Sequence, residues 1–149
     1  MDDDCDYEGS TFEYTWGESS LSPSSILLHV TDDDGSMASV EIPLTIKNKP
    51  PIALGEASGT VLMEGDQVIF TAIGSTDTPS DVPYLNFAWD LNTNSDSDGD
   101  GNPASDRDMI GYSVQTNFVK DGSRTIRLMV NDGTETVSYT HLRAHETRT

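Results

Sequence analysis

Residues 85–108 read LNFAWDLNTNSDSDGDGNPASDRD. At the start Phe87 and Trp89 alternate with Asn86, Ala88 and Asp90, the period of an extended chain with one face buried. Past Asp90 the apolar residues almost stop. From Asp90 to Asp108 there are six aspartates, two glycines and one basic residue, Arg107. No hydrophobic core holds such a segment, so a buried tryptophan strand runs straight into an acidic loop.

Outward from this stretch the chain keeps the same style. Val, Ile, Thr and Tyr come in short bursts between Gly, Pro, Asp and Asn, and no window carries a sustained helical period, which makes the fold all-β. The 149 residues have room for one full domain and part of a second. The formal charge of −18 excludes nucleic acid, whose phosphates need Lys and Arg, and anionic membrane surfaces. It leaves bound cations or a solvated acidic surface. The lone Cys5 makes no intrachain disulfide, and no apolar run is long enough to span a bilayer.

The acidic N-terminus, residues 1–6, is expected to be a loop. Residues 12–16 (FEYTW) are expected to form a strand with Trp16 in a core. After a Ser-rich turn containing Pro23, residues 26–30 (ILLHV) and 39–46 form a hairpin around Asp32-Asp33-Asp34-Gly35, with Ile26, Leu28 and Val30 inward and His29 outward. Residues 48–51 (NKPP) are a linker, since two prolines stiffen the chain and donate no hydrogen bonds. Further strands are expected at 61–63, 68–72, 85–91, 112–118 and 125–130, with Val68, Phe70, Ala72, Ile126, Leu128 and Val130 inward. Asn131-Asp132-Gly133 makes the last hairpin, Asn and Gly supplying positive φ.

The halves repeat. FEYTW (12–16) matches LNFAW (85–89) at an offset of 73, and ILLHVTDDDG (26–35) matches IRLMVNDG (126–133) at an offset of 100. The difference, 100 − 73, is an insertion of 27 residues in the second copy that contains the acidic loop. The first copy lacks strands ahead of Phe12, so a fragment of a longer tandem array is expected. Residues 137–147 (VSYTHLRAHET) resemble a translated transposase adaptor from short-read DNA library preparation. The expected organisation is therefore a truncated domain at 1–48, a nearly complete domain at 49–136 with an acidic insertion at about 91–110, and an adaptor-derived scar at 137–149. Setting the scar aside removes His141 and His145, whose i, i+4 spacing would otherwise suggest zinc.

Residues 48–53 (NKPPIA), 65–70 (GDQVIF), Ser75-Thr76-Asp77, Trp89-Asp90 and 125–133 (TIRLMVNDG), in this order, resemble the PKD (polycystic kidney disease) domain, an Ig-like β-sandwich. The resemblance covers residues 50–136 and, in truncated form, 12–48. It departs after Trp89-Asp90, where the family continues Phe-Gly-Asp-Gly and this chain has Leu91-Asn92 and the insertion; Trp16 is followed by Gly17. The resemblance implies a non-catalytic extracellular or cell-surface spacer or adhesion module, with neighbouring Ig-like domains of the same chain as partners. Such modules also stand beside the catalytic domains of secreted hydrolases, so the alternative is an accessory domain that binds a surface protein or polysaccharide.

Asp96, Asp98 and Asp100 precede Gly101 at alternate positions, the first half of an EF-hand-type calcium loop. Calcium takes six to eight oxygens, and clustered carboxylates repel one another without a cation. Position 12 of such a loop is Arg107, which departs from the EF-hand; the pattern is closer to the Asp-rich calcium repeats of thrombospondin type 3 and dockerin modules. The expected ligands are Asp96, Asp98, Asp100, the carbonyl of Asn102, and Asp106 or Asp108, with a solvated acidic loop as the alternative. Asp32-Asp33-Asp34 reads as a solvated turn, and Asp77 with Asp81 as turn chemistry rather than an ion site. No phosphate loop or nucleophile–base set stands out.

Overall fold

The computed structural model describes residues 5–16 and 25–147, the last seven by backbone alone. The expected Ser-rich turn, most of the acidic N-terminus and the side chains of His141 and His145 lie outside the described residues. Two compact units divide at the linker: residues 1–48 and 49–149.

The described residues of the first unit contain one hairpin. Strand β1 (Ser25–Thr31) pairs antiparallel with β2 (Met37–Pro43), in the register Ile26↔Ile42, Leu28↔Val40 and Val30↔Ala38. Asp32 makes the turn, its Oδ1 accepting the N–H groups of Asp34 at 3.1 Å and Ser36 at 2.7 Å. The register sets Ile26, Leu28 and Val30 on one face, as the alternation requires, but that face is not buried: Leu28 is 45% exposed and Val30 57%. Residues 12–16 form no strand, and Trp16 is half-buried rather than in a core. Both departures have one cause. A two-stranded sheet buries an apolar face only against a second layer, and among the described residues of this unit there is none.

The second unit is a two-sheet, all-β sandwich. Its strands are β3 (Glu56–Ala57), β4 (Val61–Met63), β5 (Gln67–Thr71), β6 (Asn86–Asp90), β7 (Met109–Ile110), β8 (Ser113–Asn117), β9 (Gly122–Asn131) and β10 (Thr136–Thr147). One sheet has the order β4-β10-β9-β6-β7, the other β3-β5-β8. Trp89 pairs with Leu128 and Phe87 with Val130 across β6 and β9. Val68 and Phe70 of β5 close on Trp89, Ile126, Leu128 and Val130, all without exposed surface, and the Phe70 and Trp89 rings stand 5.8 Å apart. The Trp89 indole N–H donates to the Gly111 carbonyl at 2.9 Å, so this large ring is buried with its polar atom satisfied.

Two local expectations are modified. Thr136–Thr147, mostly within the segment set aside as a scar, forms β10, antiparallel to β9 and parallel to β4, with an irregularity between Tyr139 and Leu142. The sheet has room for one strand after the β9 hairpin, and the segment that follows fills it. In that hairpin Gly133 alone takes a positive φ, at 95°; Asn131 instead accepts the Gly133 N–H at 2.8 Å through its side chain.

Candidate metal centre

Strand β6 ends at Asp90, and the chain returns as β7, with Ala88 opposite Ile110 and Trp89 opposite Met109. The acidic insertion is therefore a loop of residues 91–108 springing from two paired strands next to the core. Its base is tied at three points. The Leu91 N–H donates to Asp108 Oδ2 at 2.7 Å, the Asn92 N–H to Asp90 Oδ1 at 2.9 Å, and the Thr93 N–H to the Thr125 carbonyl of β9 at 3.1 Å.

Farther out the loop is built by aspartates accepting from backbone N–H groups a few residues on, the local chemistry that favours Asp and Asn in turns. Asp96 takes the N–H groups of Gly99 at 2.7 Å and Gly101 at 2.8 Å. Asp98 takes that of Asp100 at 3.1 Å, and Asp100 that of Asn102 at 2.7 Å. Gly99 and Gly101 have φ of 77° and 85°, a region other residues enter at a cost, and this turns both amides back toward Asp96.

This folding brings carboxylate oxygens of Asp96, Asp98 and Asp106 within 4.8 Å of one another, a group able to hold a metal ion. Asp106 has no exposed surface. Its Oδ2 accepts the Ser97 N–H at 2.6 Å, and its Oδ1 has no hydrogen-bond partner. A buried carboxylate oxygen without a partner is costly unless a cation completes it. The carboxyl of Asp98 is pushed above its usual range. The Asp100 N–H acts most strongly and lowers it, but desolvation and repulsion from Asp100, Asp106 and Asp96 together outweigh that effect.

The other expected ligands make hydrogen bonds within the loop. Asp100 is engaged with Asn102 and Ser105, the Asn102 carbonyl accepts from Ser105, and Asp108 holds the Leu91 amide. Asp90 carries no sign of special status in the sequence beyond following Trp89. It is fully buried, its Oδ2 has no hydrogen-bond partner, and the Arg127 guanidinium of β9 lies 4.0 Å away. Burial raises its pKa most; the Asn92 amide and Arg127 lower it, and Asp108 and Asp106 raise it further.

Elsewhere, Asp32 serves its turn. Asp81 accepts the Thr78 hydroxyl at 2.6 Å, and Asp77 Oδ1 accepts the Thr78 amide at 2.8 Å. His29 and Cys5 are exposed. No protein-family model matches the chain, and no curated protein matches it in sequence.

Proposed function

We propose that the chain is a non-catalytic, PKD-like module of an extracellular or cell-surface protein, and that its acidic loop binds calcium. The observation that carries this reading is buried Asp106, whose Oδ1 has no partner and whose carboxylate groups with those of Asp96 and Asp98. An oxygen-only donor set suits a hard cation, and a glycine-containing loop tolerates the larger, more flexible coordination of calcium better than the strict octahedron of magnesium. Calcium would stiffen the loop end of the sandwich, as suits a spacer working beside neighbouring Ig-like domains. Among the described residues no helix is long and apolar enough to cross a membrane.

Calorimetric titration of the chain with calcium tests this. Binding in the roughly millimolar to sub-millimolar range of extracellular modules is expected. It should raise the melting temperature, because a ligand at about 100 times its Kd adds about 2.7 kcal/mol to the folded state. No heat and no rise in melting temperature would remove the metal from the reading.

One observation favours a second reading, an accessory domain that binds polysaccharide or a surface protein. Tyr7, Phe12, Tyr14 and Trp16 form one aromatic group: Tyr7 stacks on Phe12 at 5.0 Å, and Trp16 meets Tyr14 edge-on at 4.9 Å. Tyr7, Phe12 and Tyr14 are each about half exposed. Retention on insoluble neutral polysaccharide, lost in Tyr14→Ala, would favour this reading.

A further inference from the structure

The turn that brings Asp106 back beneath Asp96 and Asp98 assigns roles within the loop, on the reading that the loop binds calcium. Asp96, Asp98 and Asp100 occupy positions 1, 3 and 5 of an EF-hand-like pattern, in which all three would reach the ion. The geometry separates them. Asp96 and Asp98 group with Asp106, and Asp100 does not join them.

Both oxygens of Asp100, like both of Asp96, accept hydrogen bonds, but those of Asp100 tie it to the segment that leads into Asp106. Asp100 Oδ1 accepts the Asn102 N–H at 2.7 Å, and Oδ2 accepts the Ser105 hydroxyl at 2.8 Å. The Ser105 hydroxyl also lies 2.9 Å from the Asn102 carbonyl, to which the Ser105 N–H donates at 3.0 Å. The segment from Asp100 to Ser105 is thus closed on itself, carboxylate to hydroxyl, around the Asn102 carbonyl. Asp106 follows directly, fully buried, with one oxygen on the Ser97 amide and the other without a partner.

We propose that Asp100 and Ser105 are a positioning pair rather than ligands: their hydrogen bond fixes the reversal that carries Asp106 Oδ1 to the ion held by Asp96 and Asp98. The ion completes its oxygen shell with backbone carbonyls and water. Asp100 would act as groups behind the ligands of metal sites do, by orienting a ligand it does not replace.

Calcium titrations of the full chain and four variants test this, with the melting temperature of each metal-free variant measured alongside. Asp106→Asn should lose binding. Asp100→Asn keeps an acceptor for the Asn102 amide and a donor for Ser105, and should bind nearly as the unaltered chain does. Ser105→Ala removes no carboxylate but should weaken calcium about 10-fold, in the range found for groups behind metal ligands. Ser105→Thr should restore it, and none of the Ser105 changes should move the metal-free melting temperature. Ser105→Ala binding with unaltered affinity, or Asp100→Asn losing as much as Asp106→Asn, overturns the pair while leaving the calcium reading intact. An unaltered chain that takes up no calcium overturns that reading and the pair with it.

Discussion

Asp90 ends the strand that launches the acidic loop and Asp106 lies near the loop's other end; both are fully buried, and both keep an oxygen without a hydrogen-bond partner. For Asp90, burial raises the folded-state pKa, so the folded chain holds this proton more tightly than the unfolded chain does. Such a group contributes stability below its unfolded pKa and loses that contribution as pH rises through the folded value. The metal-free chain is therefore expected to gain melting temperature on acidification from neutrality toward the ordinary aspartate range. Asp90→Asn should flatten that gain, as thermal melts across pH would report; an equally steep profile would refute it. Gly55 is a residue-scale test of packing. A Cβ there would lie 3.2 Å from Leu128 Cδ2, the Thr71 carbonyl oxygen and the Trp89 ring. Two of these belong to the core, so Gly55→Ala should cost about 1–3 kcal/mol in denaturant melts.

At the scale of elements, the loop and the strand that launches it obey different chemistry. Strand β6 is held by cross-strand pairing and by Trp89, and Trp89→Ala should lower stability by about 3–5 kcal/mol. Beyond the ties at its base, the loop is closed by turn hydrogen bonds, the Ser97–Asp106 bond and the carboxylate group. Arg107 is exposed and is the sole basic residue in it. Calcium should slow tryptic cleavage after Arg107, and a chelator should speed it, while cleavage after the exposed Lys47 in the linker region serves as an internal standard that stays constant. Equal rates at Arg107 with and without calcium would show that the ion does not close the loop.

Across the whole molecule, the two units share a residue pattern but differ in what covers it among the described residues. Ile126, Leu128 and Val130 have no exposed surface because β5 and β8 lie across them, whereas Leu28 and Val30, at the matching repeat positions, are about half exposed. Isolated two-stranded hairpins are marginal in water, so hydrogen exchange should find the amides of β1 and β2 far less protected than those of β6 and β9. Comparable protection in the two units would contradict this. The amino-acid sequence alone determined the all-β class, the inward faces of β5 and β9, the linker and the position of the acidic loop. All of these rest on alternation, proline and turn chemistry, which act between neighbours along the chain. It could not decide that residues 12–16 lack a strand partner, that Asp90 is buried beside Arg127, or that Asp106 rather than Asp100 joins Asp96 and Asp98. Burial and the meeting of carboxylates depend on which distant segments pack together, and only the tertiary structure supplies those neighbours.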